Sequence, residues 1–290
     1  MGLLSKIFGK KNVEERQGEP DMMYVSNEDE RMNWAIEKAN LTLWYFEESL
    51  ENPQSHQVYF SIKVKIIDGD NGEHIWLTEP HFDNEGHLYG TIGNEPVDVK
   101  TVKLNQKIGI DRSMISDWMI LENGRLIGGY TIRAIRDGIP DKDKSAFDQN
   151  IGLYIDEGVD HFKPNFDTPE GAILALEQAY NDKNLDAAIA CKDFKEEAKM
   201  MLTSTSMPQD AEIVQQMAEV LELSFVNNLE EHGFPDFTGL QSAFIRERVD
   251  NHHYIITEIC WFPDGGKSIQ KLNVFKSVSG WKVLGPINED

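Results

Sequence analysis

The residues best suited to chemistry in this chain stand in two short blocks. Glu73 and His74 place a carboxylate beside an imidazole, two groups that serve in general acid–base catalysis. Trp76 and the pair Asp117-Trp118 could add an aromatic wall and a second acid. Both blocks lie in segments that predict β-strands. Because adjacent side chains of a strand point to opposite faces, Glu73 and His74 do not line one pocket, and a catalytic pair is the weaker interpretation.

The same residues favour a role in binding a partner. Trp76 shares the strand face of His74, and we expect Trp118 and Tyr130 to join it across the sheet. Large aromatic side chains in such positions form a core or, where exposed, anchor an interface. The candidates for partner binding are therefore these: Glu73, His74, Trp76, Asp117, Trp118, Tyr130 and Arg133.

A second set of polar residues, in the C-terminal half, could reach a pocket: Tyr180, Asp186, Arg246 and Glu258. An enzyme would use them as an acid–base set, whereas salt bridges would explain the same residue types without a pocket. The histidine spacings match no zinc motif, and Gly266-Lys267-Ser268 follows a hairpin turn instead of opening a helix. We predict no catalytic residue, no cofactor and no metal.

The elements that must position the first set form an α+β domain over residues 26–138. Residues 26–50 carry an apolar side chain every three or four positions, which predicts a helix. From Val58 the period becomes two, which predicts a strand, and Asp68-Gly69-Asp70-Asn71-Gly72 predicts the turn of a hairpin. Further strands are expected at 87–93, 97–103, 115–121 and 126–135. The result is an N-terminal helix on a mostly antiparallel sheet.

The second set lies in a predicted domain over residues 167–290, after a linker at 139–166 that mixes Gly, Pro, Asp and Lys. Thr168-Pro169-Glu170 predicts a helix start, with threonine as N-cap and proline in the first turn. Further helices are expected from Leu185 and from about Asp210. Four strand patterns then follow: 242–249, 252–262, 267–277 and 281–285. Helices followed by hairpin-linked strands predict an α+β cone, in which a curved antiparallel sheet packs around helices.

The charge of the chain limits its partners. Asp and Glu number 50 against 28 Lys and Arg, so the net charge is −22. Both halves contribute, with 29 acids against 17 bases in residues 1–160 and 21 against 11 in residues 161–290. Such a protein repels nucleic acid and anionic membranes and attracts basic partners. A role of the acidity in solubility alone is the other interpretation.

Cysteine use and the first residues favour a cytoplasmic protein. Cys191 and Cys260 are the only cysteines and are far apart, so the sequence predicts reduced thiols without a disulfide framework or a CxxC metal motif. Residues 1–11 have short apolar patches broken by lysines, which are too short for a signal peptide or a membrane span. Residues 1–25 are expected to form a flexible N-terminal segment.

Four blocks in the first domain follow one another in a fixed order. They are Glu73-His74-Ile75-Trp76, Gly90-Thr91-Ile92-Gly93-Asn94-Glu95-Pro96, Ile115-Ser116-Asp117-Trp118-Met119 and Gly128-Gly129-Tyr130-Thr131-Ile132-Arg133. Residues 28–138 resemble the YegJ-like family, a bacterial domain of unknown function. The resemblance implies a place among the immunity genes of bacterial polymorphic toxin systems, where such domains are often found.

The second domain carries a looser resemblance over about residues 165–290. Its element order and several short segments are similar to the cone-shaped fold of nuclear transport factor 2 and its SnoaL-like relatives. The segments are Ala172 to Tyr180, Asn184-Leu185-Asp186-Ala187-Ala188, Val274-Phe275-Lys276 and Gly280-Trp281-Lys282-Val283. That superfamily includes enzymes, ligand carriers and interaction modules, so the resemblance implies a fold and leaves the function open.

Together these observations predict an immunity-type protein, or antitoxin, of the bacterial cytoplasm. It would bind and neutralise a cognate toxin or secreted effector by setting acidic and aromatic surface against a basic toxin domain. The alternative is an enzyme or a small-ligand-binding protein that uses the pocket of the C-terminal cone. The sequence leaves open the activity of the toxin, the domain that makes the contact and the oligomeric state.

Overall fold

The computed structural model describes residues 27–287 and divides the chain into two compact units after Gly158. Unit 1 comprises the described residues up to Gly158, and unit 2 comprises those from Val159 onward. Both units combine helices with an antiparallel sheet, so the predicted α+β class is confirmed. The N-terminal segment predicted over residues 1–25 lies outside the described residues.

Unit 1 is built on a six-stranded sheet in the order β4-β3-β2-β1-β5-β6. Its helices are α1 (Asn27–Leu41), α2 (Leu43–Glu51), α3 (Tyr130–Asp137) and α4 (Asp141–Ile151). Its strands are β1 (Gln57–Asp68), β2 (Asn71–Phe82), β3 (Leu88–Ile92), β4 (Lys107–Ile110), β5 (Ile115–Glu122) and β6 (Arg125–Gly128). A short 3₁₀ helix, Arg112–Met114, precedes β5. The hairpin predicted at Asp68-Gly69-Asp70-Asn71-Gly72 is confirmed, because Asp68 pairs with Asn71.

The sheet of unit 1 separates two hydrophobic cores because its side chains alternate between its faces. The larger core packs α1 and α2 on one face, with Phe46 and Trp118 fully buried. The smaller core lies on the other face and joins Trp76 and Met119 to Ile151 at the end of α4. Neighbouring positions of β2 and β5 therefore belong to different cores, which decides where each candidate side chain of these strands lies.

Three local predictions in unit 1 are wrong. The helix predicted over 26–50 is two helices separated at Thr42, whose hydroxyl donates a hydrogen bond to the carbonyl of Lys38 at 2.7 Å. The segment 97–103 is a loop, and β4 was not predicted. The strand predicted over 126–135 ends at Gly128, because Gly128 and Gly129 have φ of 68° and 62°, and a helix follows.

The boundary between the units falls inside the segment predicted as a linker over 139–166. Part of that segment is ordered as α4, and the residues that follow it complete the smaller core of unit 1. Ile151, Leu153 and Ile155 are each at least 95% buried there. The apolar stretch from Ile151 to Ile155 is visible in the sequence, but the Gly, Pro, Asp and Lys around it favoured a linker, and only the fold shows that these side chains are covered by unit 1.

Unit 2 contains four helices followed by a four-stranded sheet in the order β10-β9-β8-β7. The helices are α5 (Pro169–Asn181), α6 (Leu185–Ala190), α7 (Phe194–Ser204) and α8 (Ala211–His232). The strands are β7 (Gln241–Arg248), β8 (His253–Trp261), β9 (Lys267–Ser277) and β10 (Gly280–Pro286). The four predicted strands are confirmed, whereas α7 was not predicted. Thr168 caps α5 as expected, since its hydroxyl accepts a hydrogen bond from the Gly171 N–H at 3.0 Å.

Packing between α7 and α8 determines which side of α8 faces solvent. Phe194, Ala198 and Leu202 of α7 form a core cluster with Val214 and Ala218 of α8. These two α8 positions are four residues apart and therefore lie on one side of the helix. The opposite side is exposed along the helix. No helix within residues 27–287 has the length and apolar character needed to span a membrane.

Candidate functional site

The aromatic residues of unit 1 that were predicted to bind a partner are buried. Trp76 and Trp118 are both fully buried and belong to opposite faces of the sheet. Tyr130 is 5% exposed and packs edge-on against Trp118, with 5.7 Å between the ring centroids. The indole of Trp118 donates a hydrogen bond to the Ala39 carbonyl at 3.0 Å. The prediction that Trp118 and Tyr130 join Trp76 on one face is wrong, and none of the three can anchor a partner in this fold.

Asp117 is also fully buried, and it stabilises the start of α3. Its carboxylate accepts hydrogen bonds from the Thr131 hydroxyl at 2.6 Å, the Thr131 N–H at 2.8 Å and the Tyr130 N–H at 3.1 Å. Lys63 donates in turn to the Thr131 hydroxyl at 3.1 Å. Burial raises the pKa of Asp117, while Thr131 and the charge of Lys63 oppose the shift. The arrangement is a helix cap with a buried counter-charge, so Asp117 is not a contact residue.

Glu73 and His74 lie on opposite faces of β2, as the strand period predicts. The Glu73 carboxylate accepts hydrogen bonds from three backbone N–H groups, those of Val97 at 2.9 Å, Asp98 at 2.9 Å and Val99 at 3.3 Å. These bonds satisfy the backbone of the loop where a strand was predicted. Glu73 therefore holds a loop of its own unit.

His74 is the one member of the predicted pair that faces solvent. Its Nδ1 lies 2.8 Å from the hydroxyl of Ser116, which is 3% exposed. Partial burial lowers the pKa of His74, and the charges of Lys63 and Lys65 lower it further. His74 is therefore neutral at pH 7 and adds no positive charge to the surface.

Arg133 ties the end of β6 to the segment after α4. Its guanidinium donates to the carbonyls of Gly128 at 3.0 Å, Leu126 at 2.5 Å and Asp156 at 2.5 Å. The side chain is 14% exposed. Like Asp117 and Glu73, Arg133 joins segments of unit 1.

The four C-terminal candidates do not converge on one pocket. Arg246 forms a bidentate pair with Glu170, with donor–acceptor distances of 2.9 and 2.7 Å, and the Glu170 side chain is fully buried. Tyr180 stacks on Phe237, and burial raises the pKa of its hydroxyl to about 12. Asp186 is exposed in the first turn of α6. The acid–base set expected from these residues is therefore not assembled in this structure.

Glu258 instead meets a carboxyl group that the sequence analysis did not name. Glu258 is fully buried and accepts hydrogen bonds from the Ser242 hydroxyl at 2.6 Å and the Gln270 amide at 2.7 Å. Glu177 of α5 is 8% exposed and is close enough to Glu258 for the charge of Glu258 to act on its carboxyl group. Burial raises the pKa of Glu177 to about 9, with the charge of Glu258 as the next cause. The position of Glu177, four residues after the inward-facing Ile173, was the signal available in the sequence.

The exposed side of α8 is the strongest candidate contact surface in unit 2. Val220 and Leu223 are each 60% exposed, although both are aliphatic. The helix contains no lysine or arginine, and its only basic residue is His232 at the C-terminal end. We call this side the acidic face of α8, and its members are the exposed residues Glu212, Glu219, Val220, Glu222, Leu223, Glu230 and Glu231.

Among residues 27–287 there is no candidate metal site, and both cysteine thiols are buried. No group of three or more His, Cys, Asp or Glu side chains in this part of the chain is placed to hold a metal ion. Cys191 and Cys260 are free and buried. Burial raises the pKa of the Cys260 thiol to about 12, which suppresses the reactive thiolate.

Comparisons with known proteins identify the first unit more closely than the second. Residues 29–155 match the family described as "Uncharacterized protein conserved in bacteria (DUF2314)". Uncharacterized protein YegJ of Escherichia coli K12 is 40% identical over 73 residues, which are 25% of this chain and 47% of YegJ. These two similarities support the predicted YegJ-like domain of unknown function. The nuclear transport factor 2-like and SnoaL-like resemblance of residues 165–290 stays a prediction.

A longer but weaker similarity covers more of the chain. A putative ankyrin repeat protein of Neisseria meningitidis serogroup B is 27% identical over 197 residues, which are 65% of this chain and 73% of that protein. No solved structure matches the chain. The comparisons therefore relate this chain to a bacterial domain family and to a protein named for its repeats. Neither similarity indicates a chemical reaction.

Proposed function

We propose that this chain is a non-enzymatic, immunity-type protein of the bacterial cytoplasm that binds and neutralises a cognate toxin or secreted effector. The acidic face of α8 would be its contact surface for a basic toxin domain. The observation that carries the proposal is a 22-residue helix with five glutamates, no lysine or arginine and two exposed aliphatic side chains. Exposed apolar residues with like charges around them are typical of a binding surface for an oppositely charged partner.

The charge balance within the molecule supports a basic partner. Several basic side chains are already paired inside their own unit, as Arg112 is with Glu47 at 2.6 Å and Arg136 with Asp148 at 2.7 Å. Acidic residues outnumber basic ones by 50 to 28, so pairing leaves an excess of negative charge at the surface. A surface with such an excess accelerates encounter with a basic partner and slows encounter with an acidic one.

The relative named as a putative ankyrin repeat protein also supports a role in protein binding. Ankyrin repeats stack into extended surfaces that bind other proteins. The similarity reaches over 65% of this chain. It agrees with a binding protein, whereas a catalytic function would need a convergent set of side chains, which the predicted candidates do not form.

The test is co-expression of this chain with the product of any neighbouring gene that encodes a toxin-bearing effector. We expect this chain to restore growth of cells that express the toxin domain and to co-purify with it. The triple variant Glu219→Gln, Glu230→Gln, Glu231→Gln should associate at least about tenfold more slowly at low salt. A toxin that stays fully active and unbound in the presence of the wild-type chain would contradict the proposal.

A charge-matched control separates the acidic face from net charge. The variant Glu48→Gln, Glu51→Gln, Glu95→Gln removes three exposed carboxylates from unit 1. Both triple variants change the net charge from −22 to −19, so long-range attraction falls by a similar amount in both. We expect the control to retain neutralisation, because only the α8 variant removes carboxylates at the proposed contact.

A second candidate function, small-ligand binding or acid–base chemistry in unit 2, is favoured by the pair of Glu177 and Glu258. Perturbed carboxyl groups are found at many functional sites. In addition, Oε1 of Glu177 is buried and has no hydrogen-bond partner. The test is infrared difference spectroscopy of the protonated Glu177 carboxyl during titration with small cationic amines. A carboxyl band that shifts with saturation would support this function, and a band that stays unchanged would exclude that ligand class.

A further inference from the structure

We infer that the element recognised by the acidic face of α8 is a basic amphipathic helix of the partner protein, which lies along α8. This inference rests on the proposed function and names the partner chemistry of the same surface. Its apolar residues would cover Val220 and Leu223, and its lysines or arginines would lie beside Glu219, Glu230 and Glu231.

The exposed residues of α8 follow the period of a helical interface. Val220 and Leu223 are three residues apart, and Gln216 and Asn227 extend the same stripe by four residues in each direction. A stripe with alternating steps of three and four faces one partner helix along its whole length. At 1.5 Å per residue, the 22 residues of α8 provide about 33 Å of straight surface.

The exposed side of α8 also has a depression that can receive a side chain from a partner helix. A shallow depression with a volume of about 360 Å³ runs along the helix, lined by Val220, Leu223, Ser224, Asn227, Asn228 and Glu231. Its floor is apolar at one end and offers amide groups at the other. Amides at seam positions form hydrogen bonds that set the register of paired helices, so the depression favours a partner with a polar residue opposite Asn227.

An extended segment of a partner would not use this surface as well. A strand binds mainly through backbone hydrogen bonds to a sheet edge, and its side chains repeat every two residues. The backbone groups in the interior of α8 are already bonded within the helix, so they offer no such edge. An amphipathic helix instead binds through side chains spaced by three and four residues, which is the spacing that α8 presents.

The charges around the stripe require a basic partner and disfavour a second copy of this chain. On a helical projection with 100° per residue, Glu219 and Glu230 lie on one side of the stripe and Glu231 on the other. Two copies of α8 packed together would place these carboxylates against each other, and like charges in contact oppose association. Lysines and arginines that flank an apolar seam satisfy both sides at once.

Titration of the full-length chain with a labelled 20-residue helical peptide tests the inference. The peptide has leucine at alternating three- and four-residue steps and lysine or arginine at the flanking positions. A scrambled peptide of the same composition has no apolar face. We expect the amphipathic peptide to bind at least about tenfold more tightly than the scrambled one, and to weaken by about tenfold between roughly 50 and 300 mM NaCl.

Two variants of α8 and one control locate the binding. Val220→Gln with Leu223→Gln removes the apolar stripe, while the new glutamines have good helix propensity. We expect about a tenfold loss of affinity. The triple glutamine variant at Glu219, Glu230 and Glu231 should lose about tenfold and show a weaker dependence on salt. The control triple variant in unit 1 should change affinity by less than about twofold. Helix content by circular dichroism verifies that each variant is folded.

Three results would overturn the inference. They are equal binding of the scrambled peptide, unchanged affinity in both α8 variants, and a wild-type dimer that dissociates when Val220 and Leu223 are replaced. The proposed function fails separately. If the α8 variants still neutralise the effector, this inference is wrong and the immunity function stands. If the wild-type chain neutralises no effector, the function is wrong, while the peptide titration still decides which helix chemistry α8 accepts.

Discussion

The paired carboxyl groups of unit 2 make the stability of the protein depend on pH in a direction that the structure determines. Glu177 lies against Glu258 in the interior, and Ser242 and Gln270 donate hydrogen bonds to the Glu258 carboxylate. Both glutamates are at least 92% buried. Burial, and next the charge of Glu258, raise the pKa of Glu177, so we expect the folded protein to hold a proton on this carboxyl group at neutral pH.

The sign of the effect follows from the two protonation states. Glu177 has an ordinary pKa of 4.5 and a folded-state pKa of about 9. The stability that Glu177 contributes is fully present below pH 4.5, where the folded and the unfolded chain both bind the proton. It is lost as the pH rises through about 9. Between these values the unfolded chain releases the proton that the folded chain keeps. The free energy of unfolding then falls by about 1.4 kcal/mol per pH unit, or about 4 kcal/mol from pH 5 to pH 8.

Glu177→Gln removes this dependence with little change in shape. A glutamine amide can donate a hydrogen bond to a neighbouring carboxylate, as a protonated carboxyl group can, but it does not titrate. We expect the variant to gain stability relative to the wild type as the pH rises, by about 1.4 kcal/mol per unit between pH 5 and pH 9. At pH 8 the variant should be the more stable protein.

Urea unfolding of the full-length chain at a series of pH values measures the difference. Circular dichroism reports the whole chain, and hydrogen exchange of peptides from α5 and β8 reports unit 2. Glu222→Gln is the matched control, because Glu222 is exposed on α8 and its replacement removes a carboxylate without changing the buried pair. A stability difference between Glu177→Gln and the wild type that stays constant, or shrinks as the pH rises, would refute the reasoning.

Other buried polar groups should respond to substitution in measurable ways. Asp117→Ala leaves the charge of Lys63 buried and removes the cap of α3, so urea unfolding should show a loss of about 3 kcal/mol, and a loss below about 1 kcal/mol would contradict the cap. Arg246→Ala leaves Glu170 buried without its bidentate partner, so urea unfolding should show a loss of about 3 to 5 kcal/mol, and a loss below about 1 kcal/mol would contradict a buried ion pair. Cys260 should react with a thiol reagent at pH 8 only after unfolding, and rapid labelling of the native chain would show that its thiol is accessible.

Local patterns predicted many of the elements because they depend on residues close together in sequence. The hairpin at Asp68 to Gly72 and the start of α5 at Thr168 follow from turn and capping residues that stand side by side. The strands of unit 2 follow from alternation and from the turn Pro263-Asp264-Gly265-Gly266. Each of these signals is complete within a few residues, so no distant contact can override it easily.

Patterns failed where a distant side chain replaced a local signal. The loop at 97–103 looked like a strand, but its N–H groups bond to Glu73 and Asp68, which are more than 20 residues away. The helix α3 begins where a strand was predicted, because the Asp117 carboxylate caps it from 14 residues upstream. Such partners are invisible to a window of neighbouring residues.

The sequence by itself determined the α+β class, the order of most elements and the excess of negative charge, because these depend on local periodicity and on residue counts. Only the tertiary structure decided which polar residues are inside. Glu170 and Arg246 are 76 residues apart in sequence, and Glu177 and Glu258 lie on a helix and a strand that meet only after folding. The same holds for α8, whose acidic face is a surface because α7 covers the other side. A side chain is buried only when another part of the chain covers it, and a local stretch of sequence contains only one of these two parts.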